Sequence, residues 1–176
     1  MGSGSRSGRI RADMDIILAS RTAETAAIYF ERTNHETFRK VLPQKARSVE
    51  EAVADFEKSQ LPGAASFGRA IRADGAYVGD VWCYCIDPAG TPGAMVSYCV
   101  FEQTLWGQGI ASQALAMFLL EITRKYRLKT VGAFTFSGNL PSIQVLEKNG
   151  FKLVEEFAEG DMLSRYYQLD LEQEKV

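Results

Sequence analysis

The stretch Trp106-Gly107-Gln108-Gly109 has the residue types and spacing of an anion-binding turn. It follows an apolar run that predicts a strand, and it leads directly into a long amphipathic segment that predicts a helix. Glycines let the main chain approach a ligand closely, and the first N–H groups of a helix have no partner within it. Together these features predict a phosphate site. The spacing matches neither the dinucleotide fingerprint nor the P-loop, and a purely structural turn is the alternative interpretation.

Few other side chains in the sequence suggest reactive or metal chemistry. Cys83, Cys85 and Cys99 lie in apolar, strand-like runs, which predicts buried, reduced thiols in a cytosolic protein. Cys83 and Cys85 would share one face of a strand, but no further cysteine or histidine completes a metal site, so we predict no metal. His35, the only histidine, has polar neighbours and is expected on the surface.

The size and composition of the chain limit the architectures that it can adopt. The chain has 176 residues, of which 46% are hydrophobic and 24% are charged, and its formal net charge is −2. These values are typical of one globular domain and do not favour binding to nucleic acid or to a membrane surface. No apolar run approaches the roughly 20 residues that span a bilayer. We interpret residues 1–13, rich in Gly, Ser and Arg, as a leader, residues 14–172 as the domain and residues 173–176 as a tail, in a cytoplasmic protein.

The glycine turn needs a sheet and helices to hold it, and the hydrophobic pattern predicts them. Before the turn, the pattern predicts a helix capped by Ser20 or Thr22 and a second helix that begins at Ser48 and ends near Ser59. Asp74-Gly75 predicts a hairpin between two strands, because both positions suit a positive φ. The strands predicted in this half are residues 15–19, 65–72, 77–86 and 94–101.

Beyond the turn, the pattern predicts two helices and three strands. A shorter helix begins after Asn139 and stops at Gly150. The strands are expected at residues 130–136, 151–157 and 165–171. The order of elements predicts one α+β domain built on a mixed, largely antiparallel sheet. The helix that follows the turn has an apolar stripe that we expect to face the core, formed by Ala111, Leu115, Phe118, Ile122 and Tyr126.

Two of these segments resemble the GNAT superfamily of N-acetyltransferases. Residues 106–111, Trp-Gly-Gln-Gly-Ile-Ala, are similar to the family's acyl-CoA pyrophosphate loop, and a Trp in first place is typical of the branch of ribosomal-protein N-terminal acetyltransferases. Residues 139–151 resemble that branch's Asn-x-x-Ser…Leu-Glu-Lys-x-Gly-Phe signature. The order of elements fits from residue 15 to residue 171. The resemblance implies the acyl-CoA N-acyltransferase fold, with six to seven strands, a splayed central pair and about four flanking helices.

The resemblance also implies where acetyl-CoA binds. In the family, the fourth and fifth strands separate at a bulge, and the backbone of Val100 and Phe101 would hydrogen-bond the pantetheine arm. A backbone N–H near Phe101 would polarise the thioester carbonyl. Asn139 would bond the cofactor arm and Ser142 would protonate the leaving thiolate, although both residues would also cap their helix. The implied cofactor-binding residues are Val100, Phe101, Trp106, Gly107, Gln108, Gly109, Ile110, Ala111, Ser112, Asn139 and Ser142.

The catalytic acid and base are less clearly marked. Many family members have a tyrosine as general acid where this sequence has Leu146, which leaves Ser142 or solvent to protonate the thiolate. An amine nucleophile needs an acceptor for its proton, and Glu102, at a strand end beside the cofactor loop, is the first candidate base. A solvated surface carboxylate is the alternative interpretation of Glu102. Glu156 and Asp161, in the last hairpin, are further candidates.

The resemblance implies an acetyl-CoA-dependent N-acetyltransferase. Acetyl-CoA and acceptor would bind together, and a deprotonated primary amine, on a protein N-terminus or a small molecule, would attack the thioester directly. Residues 23–61 line the acceptor side in the family, but their mixed charge does not choose between these acceptors. A non-catalytic acyl-CoA-binding module and a phosphate-binding domain of another fold remain open. No nucleic-acid or membrane partner is implied, and a homodimer is allowed because dimers are common in the family.

Overall fold

A single sheet of seven strands forms the centre of the computed structural model, which describes residues 13–42 and 45–171. The strands are β1 (Ile16–Ser20), β2 (Phe67–Ala73), β3 (Ala76–Asp87), β4 (Gly93–Val100), β5 (Thr130–Phe136), β6 (Lys152–Glu159) and β7 (Met162–Asp170). Their spatial order is β1-β2-β3-β4-β5-β7-β6, and every neighbouring pair is antiparallel except β4 and β5. The predicted mixed, largely antiparallel sheet is confirmed.

Helices cover both faces of the sheet. Thr22, rather than Ser20, caps the first helix: its hydroxyl accepts a hydrogen bond from the N–H of Thr25, whose hydroxyl accepts one from the N–H of Thr22. The short helix at Glu36–Arg39 was not predicted, because four residues are too few to show a helical period. The α-helices in the described residues are α1 (Ala23–Thr33), α2 (Glu36–Arg39), α3 (Val49–Ser59), α4 (Ile110–Tyr126) and α5 (Leu140–Lys148).

The helix α4 packs on one sheet face, and its predicted apolar stripe is confirmed. Leu115, Phe118 and Ile122 are fully buried, and Ala111 and Tyr126 are partly buried against the same core. Both α1 and α3 lie over the opposite face, where α1 contacts β3 and α3. Burying the α4 stripe therefore fixes where the N-terminus of this helix lies relative to the end of β4.

The two central strands, β4 and β5, separate after a short parallel contact. Their register holds from Gly93↔Thr130 to Met95↔Gly132 and then stops, although β4 stays paired with β3 and β5 with β7. A Cβ on Gly132 would lie 2.7 Å from the Met95 sulfur and 2.7 Å from the Tyr166 ring, so the convergence point requires a glycine. The splayed central strands implied by the family resemblance are therefore present. We call the space between β4 and β5 beyond Met95 and Gly132 "the gap".

A bulge lies in β3 rather than in either strand of the gap. Tyr84 pairs with Met95 and Asp87 with Gly93, so two residues of β3 oppose one residue of β4. Cys85 lies in this bulge with φ 50°, and its side chain is exposed. The expectation that all three cysteines are buried is therefore wrong for Cys85, because alternation along a strand fails at a bulge.

Several expectations concern turns and chain ends. The hairpin predicted at Asp74-Gly75 is confirmed, with φ angles of 49° and 83°. Residues 1–12 and 172–176 lie outside the described residues, so the leader, tail and domain boundaries remain predictions. Among residues 13–42 and 45–171, no helix combines the length and apolarity needed to cross a bilayer.

Candidate functional site

The N-terminus of α4 is an open site for an anion. Gly107 and Gly109 have φ angles of 76° and 81°, and a Cβ on either would meet no atom within 4 Å. Gly109 is the N-cap residue and offers no side chain to the helix. In the described part of the chain, no acceptor faces the N–H groups of residues 110–112, whereas the N–H of Gln113 bonds the Gly109 carbonyl oxygen. These N–H groups and the positive end of the helix can therefore bind phosphate oxygens.

The tryptophan before the turn ties this anion site to the gap. Trp106 donates its indole N–H to the carbonyl oxygen of Val100 at 2.7 Å, and its ring packs edge-on against Phe38. Gln108 adds a hydrogen bond from its side-chain amide to the Thr104 carbonyl oxygen at 3.3 Å. The turn is thus held at the end of β4, so that a ligand on α4 could extend into the gap.

Main-chain groups of β4 alternate between β3 and the gap. In an antiparallel pair, one residue exchanges hydrogen bonds with its partner and the next directs its N–H and C=O to the other side. Phe101 donates its N–H to the Val78 carbonyl oxygen at 2.9 Å, so the main-chain groups of Val100 and Tyr98 face the gap. The donor expected near Phe101 is therefore not the N–H of Phe101 itself, because that N–H is used within the sheet. Val100 keeps its predicted position beside the gap.

A hydroxyl pair lies where α5 meets the gap. The Tyr98 hydroxyl lies 3.0 Å from the Ser142 Oγ and 3.1 Å from the Ser142 carbonyl oxygen. Asn139 caps α5 by accepting the Ser142 N–H at 3.3 Å, which confirms the capping interpretation. Burial raises the pKa of Tyr98 to about 12, although its bond to Ser142 lowers it, so the phenol keeps its proton at neutral pH. Tyr98 was not predicted as a site residue.

The position of the family's tyrosine is part of the core in this chain. Leu146 is 1% exposed and packs in the main hydrophobic cluster. Helix α5 therefore offers no phenol at that place, whereas β4 brings Tyr98 to Ser142 from across the gap. In the described chain, the two hydroxyl groups that lie together beside the start of α5 are those of Tyr98 and Ser142.

One continuous cavity of about 1610 Å³ joins these features. Its lining includes Gly107 and Gly109 of the turn, Ser142 of α5, Tyr98 of β4 and, beyond the gap, Trp82 of β3. Trp82 lies on the sheet face opposite α4, because the neighbouring Val81 and Cys83 belong to the α4 core. The cavity thus passes through the sheet at the gap, with the anion site on one side and the surface under α1 and α3 on the other.

The carboxylates predicted as bases, Glu102, Glu156 and Asp161, do not line this cavity. Glu102 accepts a hydrogen bond from the Arg32 guanidinium at 2.8 Å and another from Thr104, and these bonds lower its pKa. A carboxylate with a lowered pKa is a weaker proton acceptor, and Glu102 does not line the cavity, so the structure argues against it as the base. Glu156 forms an ion pair with Arg165 at 2.8 Å, and Asp161 is exposed in the turn between β6 and β7.

A different carboxylate, Glu159, lines the cavity. It accepts a hydrogen bond from the Ser164 hydroxyl at 2.6 Å, and Ser164 pairs with Phe136 at the end of β5. Glu159 lies at the end of β6 and lines the same cavity as Ser142. No sequence motif marks Glu159, and its place in the cavity lining depends on the register between β6 and β7.

A buried ion pair lies beside the cavity under α1. Asp80 is 1% exposed, accepts a hydrogen bond from the Tyr77 hydroxyl at 2.8 Å and lies 3.1 Å from the Nε of Arg21. Burial raises the pKa of Asp80 to about 6, and Arg21 and Tyr77 only partly offset this effect. Asp80 does not line the cavity, whereas Arg21 does. The pair therefore supports the cavity wall and makes stability depend on pH.

Replacing Asp80 by asparagine should flatten this pH dependence. The native pKa, about 6, lies above the ordinary value of 3.8, so the native state binds more protons between pH 4 and 6 and loses stability as pH rises through that window. A shift of two units corresponds to about 3 kcal/mol. Between pH 4 and pH 7 the free energy of unfolding of the unmodified chain should fall by about this amount relative to Asp80→Asn. Urea denaturation at each pH measures it, and parallel curves would contradict the assignment.

Comparison with known proteins gives a family match and structural neighbours. Residues 16–152 match the family described as the acetyltransferase (GNAT) domain. No curated protein matches the chain. The structural neighbours include RimL, a ribosomal alpha-N-protein acetyltransferase in complex with coenzyme A, at 19% identity and a TM-score of 0.76, covering 89% of this chain and 94% of that one.

Two further structural neighbours have the same fold. Mycobacterium smegmatis RimJ in complex with CoA-disulfide is 20% identical, with a TM-score of 0.76, and the match covers 88% of this chain and 81% of that one. The aminoglycoside acetyltransferase AAC(6')-Ib in complex with coenzyme A is 13% identical, with a TM-score of 0.74, and the match covers 89% and 95% of the two chains. At these identities the likeness concerns the fold.

Proposed function

This chain belongs to the GNAT acetyltransferase family, and from that premise we propose that it transfers an acetyl group from acetyl-CoA to a primary amine by direct attack. The acceptor is a protein N-terminus or a small amine. Main support comes from one observation: the unpartnered N–H groups of residues 110–112 and the gap open into the same cavity. A cytoplasmic location is part of the proposal and rests on the unpaired cysteines, Cys83, Cys85 and Cys99.

The residues present fit coenzyme A without a metal ion. The N–H groups at the start of α4 would bind the pyrophosphate, with Gly107 and Gly109 keeping side chains out of its way. The gap-facing main chain of Tyr98 and the N–H of Val100, whose carbonyl oxygen is already bonded by Trp106, would hydrogen-bond the amides of the pantetheine arm as an added strand does. Among residues 13–42 and 45–171, no cluster of three or more His, Cys, Asp or Glu side chains could hold a metal ion.

The leaving thiolate would take its proton at the start of α5. Ser142 lines the cavity and has one polar hydrogen to give, and Tyr98 holds that hydroxyl from across the gap at 3.0 Å. Because Tyr98 stays protonated at neutral pH, it can return a proton to Ser142 Oγ after Ser142 has protonated the sulfur. In this mechanism Ser142 is the catalytic residue and Tyr98 positions and reprotonates it.

The acceptor amine would enter from the face under α1 and α3 and lose its proton to Glu159. We expect Glu159→Gln to lower kcat/KM at neutral pH by about a hundredfold, since general base catalysis contributes on the order of 10²–10⁴. The glutamine keeps an oxygen that can accept the Ser164 bond, so the hairpin should be unchanged. Part of the loss should be recovered as pH rises and more of the amine is already deprotonated.

A matched control is Glu156→Gln, three residues away in the same strand. Glu156 pairs with Arg165 on the other face of the hairpin and does not line the cavity, so its replacement should leave kcat/KM within about twofold. Equal rates for Glu159→Gln and the unmodified chain would remove Glu159 from the mechanism and leave solvent as the proton acceptor.

The proposed function is tested with purified protein, acetyl-CoA and a panel of primary amines. Thiol release that depends on both the protein and an amine, together with an acetylated product by mass spectrometry, is the expected result. Tight acetyl-CoA binding without turnover on any amine would instead favour a non-catalytic acyl-CoA-binding module, for which the absence of a phenol at Leu146 would be a reason. Failure to bind coenzyme A would overturn the proposal entirely.

A further inference from the structure

The part of the cavity under α1 and α3 is walled by aromatic rings. We define the acceptor chamber by Tyr29, Phe38, Trp82, Tyr84, Phe134 and Phe157, all of which line the cavity. Trp82 and Tyr84 lie on the face opposite α4 because they alternate with core residues of β3. Two pairs of these rings contact edge-on, with centroid distances of 5.9 Å for Tyr29–Trp82 and 5.9 Å for Phe134–Phe157. Phe38 packs in a second hydrophobic cluster below them.

Charges around the cavity balance in sign. The acidic residues in its described lining are Asp55, Glu147 and Glu159, and the basic ones are Arg21, Lys45 and Lys148. Of the acids, Glu159 is the one that we assign to proton removal, and the counter-charge of Arg21 is the buried Asp80. The chamber therefore has no cluster of carboxylates that could pair with the several ammonium groups of a polyamine. Burying those charges without partners would be costly, so the chamber does not favour a polyamine acceptor.

We propose that the acceptor is a primary amine carried a few bonds from a flat, apolar group, such as an arylalkylamine or the N-terminal aromatic residue of a peptide. This inference rests on the proposed acetyl transfer. The aromatic walls would bury the flat group, and their ring faces would stabilise its single ammonium by cation–π interactions until Glu159 accepts a proton. The amine nitrogen then forms a bond to the thioester carbon, the carbon–sulfur bond breaks, and the thiolate takes the proton of Ser142.

An acceptor series tests the proposal. We expect kcat/KM for phenethylamine to exceed that for propylamine, spermidine and kanamycin by about tenfold or more, since burying an aromatic group is worth more than 1 kcal/mol. A peptide with N-terminal Phe is compared with the same peptide beginning with Ser. Faster turnover of the Phe peptide would identify a peptide as the acceptor, and turnover of phenethylamine without turnover of either peptide would identify a free amine. Faster turnover of spermidine or kanamycin would overturn this inference while supporting acetyl transfer. No turnover on any amine would overturn both.

Variants of the chamber locate the effect. Phe134 is 55% exposed, so Phe134→Ala should fold normally and lower kcat/KM for phenethylamine about fivefold to tenfold, and that for propylamine by a much smaller factor. Leu153→Ala is the matched control, because Leu153 is 49% exposed in the same sheet but does not line the cavity. An equal loss for both amines in Phe134→Ala, or no loss for phenethylamine, would contradict the chamber as the binding site.

Discussion

Replacing Gly109 by glutamate should abolish acetyl-CoA binding while leaving the fold intact. The new carboxylate would stand at the N-terminus of α4, where the main-chain N–H groups of residues 110–112 are unpartnered. Like-charge juxtaposition in a binding site costs several kcal/mol, so we expect Kd for coenzyme A to rise by a factor of roughly 100 or more. Titration calorimetry measures Kd, and circular dichroism checks that the secondary structure is kept.

The control separates charge from backbone strain. Gly63 has φ 77°, close to the 81° of Gly109, and a Cβ at either position meets no atom within 4 Å. Both glutamate variants should therefore lose about 1–2 kcal/mol of stability from the left-handed conformation. Only Gly109→Glu should lose coenzyme A binding, because Gly63 lies in the loop before β2, away from the cavity lining. Normal binding by Gly109→Glu would move the pyrophosphate site away from α4.

Removing the Ser142 hydroxyl should slow turnover much more than it weakens binding. A general acid contributes on the order of 10²–10⁴, so we expect Ser142→Ala to lower kcat by about a hundredfold or more while KM for acetyl-CoA stays within about threefold. The Asn139 cap bonds the Ser142 main-chain N–H, which the variant retains, so α5 should be unaffected. Steady-state kinetics measure the split, and unchanged kcat would exclude Ser142 from proton transfer.

The role of Tyr98 is tested by a double-mutant cycle. Tyr98→Phe removes the hydroxyl that lies 3.0 Å from Ser142 Oγ and should lower kcat about tenfold, with KM unchanged. In the proposed mechanism Tyr98 acts through Ser142, so the double variant should be no slower than Ser142→Ala alone. Additive losses would mean that Tyr98 has a separate role, such as packing in the cavity wall.

Local features of the site could be predicted from the sequence, because short-range patterns specify them. The glycine turn, the apolar stripe of α4 and the cap of α5 each depend on residues within one or two helical turns. Family resemblance added the splay between β4 and β5, which no periodicity encodes. The same local reasoning failed for Cys85, where a bulge in β3 turns the side chain outward.

Contacts between distant segments could not be predicted in this way. Tyr98 and Ser142 are 44 residues apart, and Arg32 and Glu102 are 70 residues apart, so neither pairing leaves a sequence pattern. The second contact lowers the pKa of Glu102 and so argues against it as the base. The N–H of Phe101 illustrates another limit: alternation gives the two sides of a strand but not which side faces a partner, and that choice is set by the register with β3.

The position of the open N–H groups bears on how the family can diverge. Every amino acid except proline carries the same amide, so the proposed diphosphate site at the backbone of residues 110–112 would place few demands on side-chain identity. Substitutions could then accumulate around that region with little cost to nucleotide affinity. Selectivity for the acceptor amine would instead depend on side chains, and it could change without affecting the binding of the diphosphate.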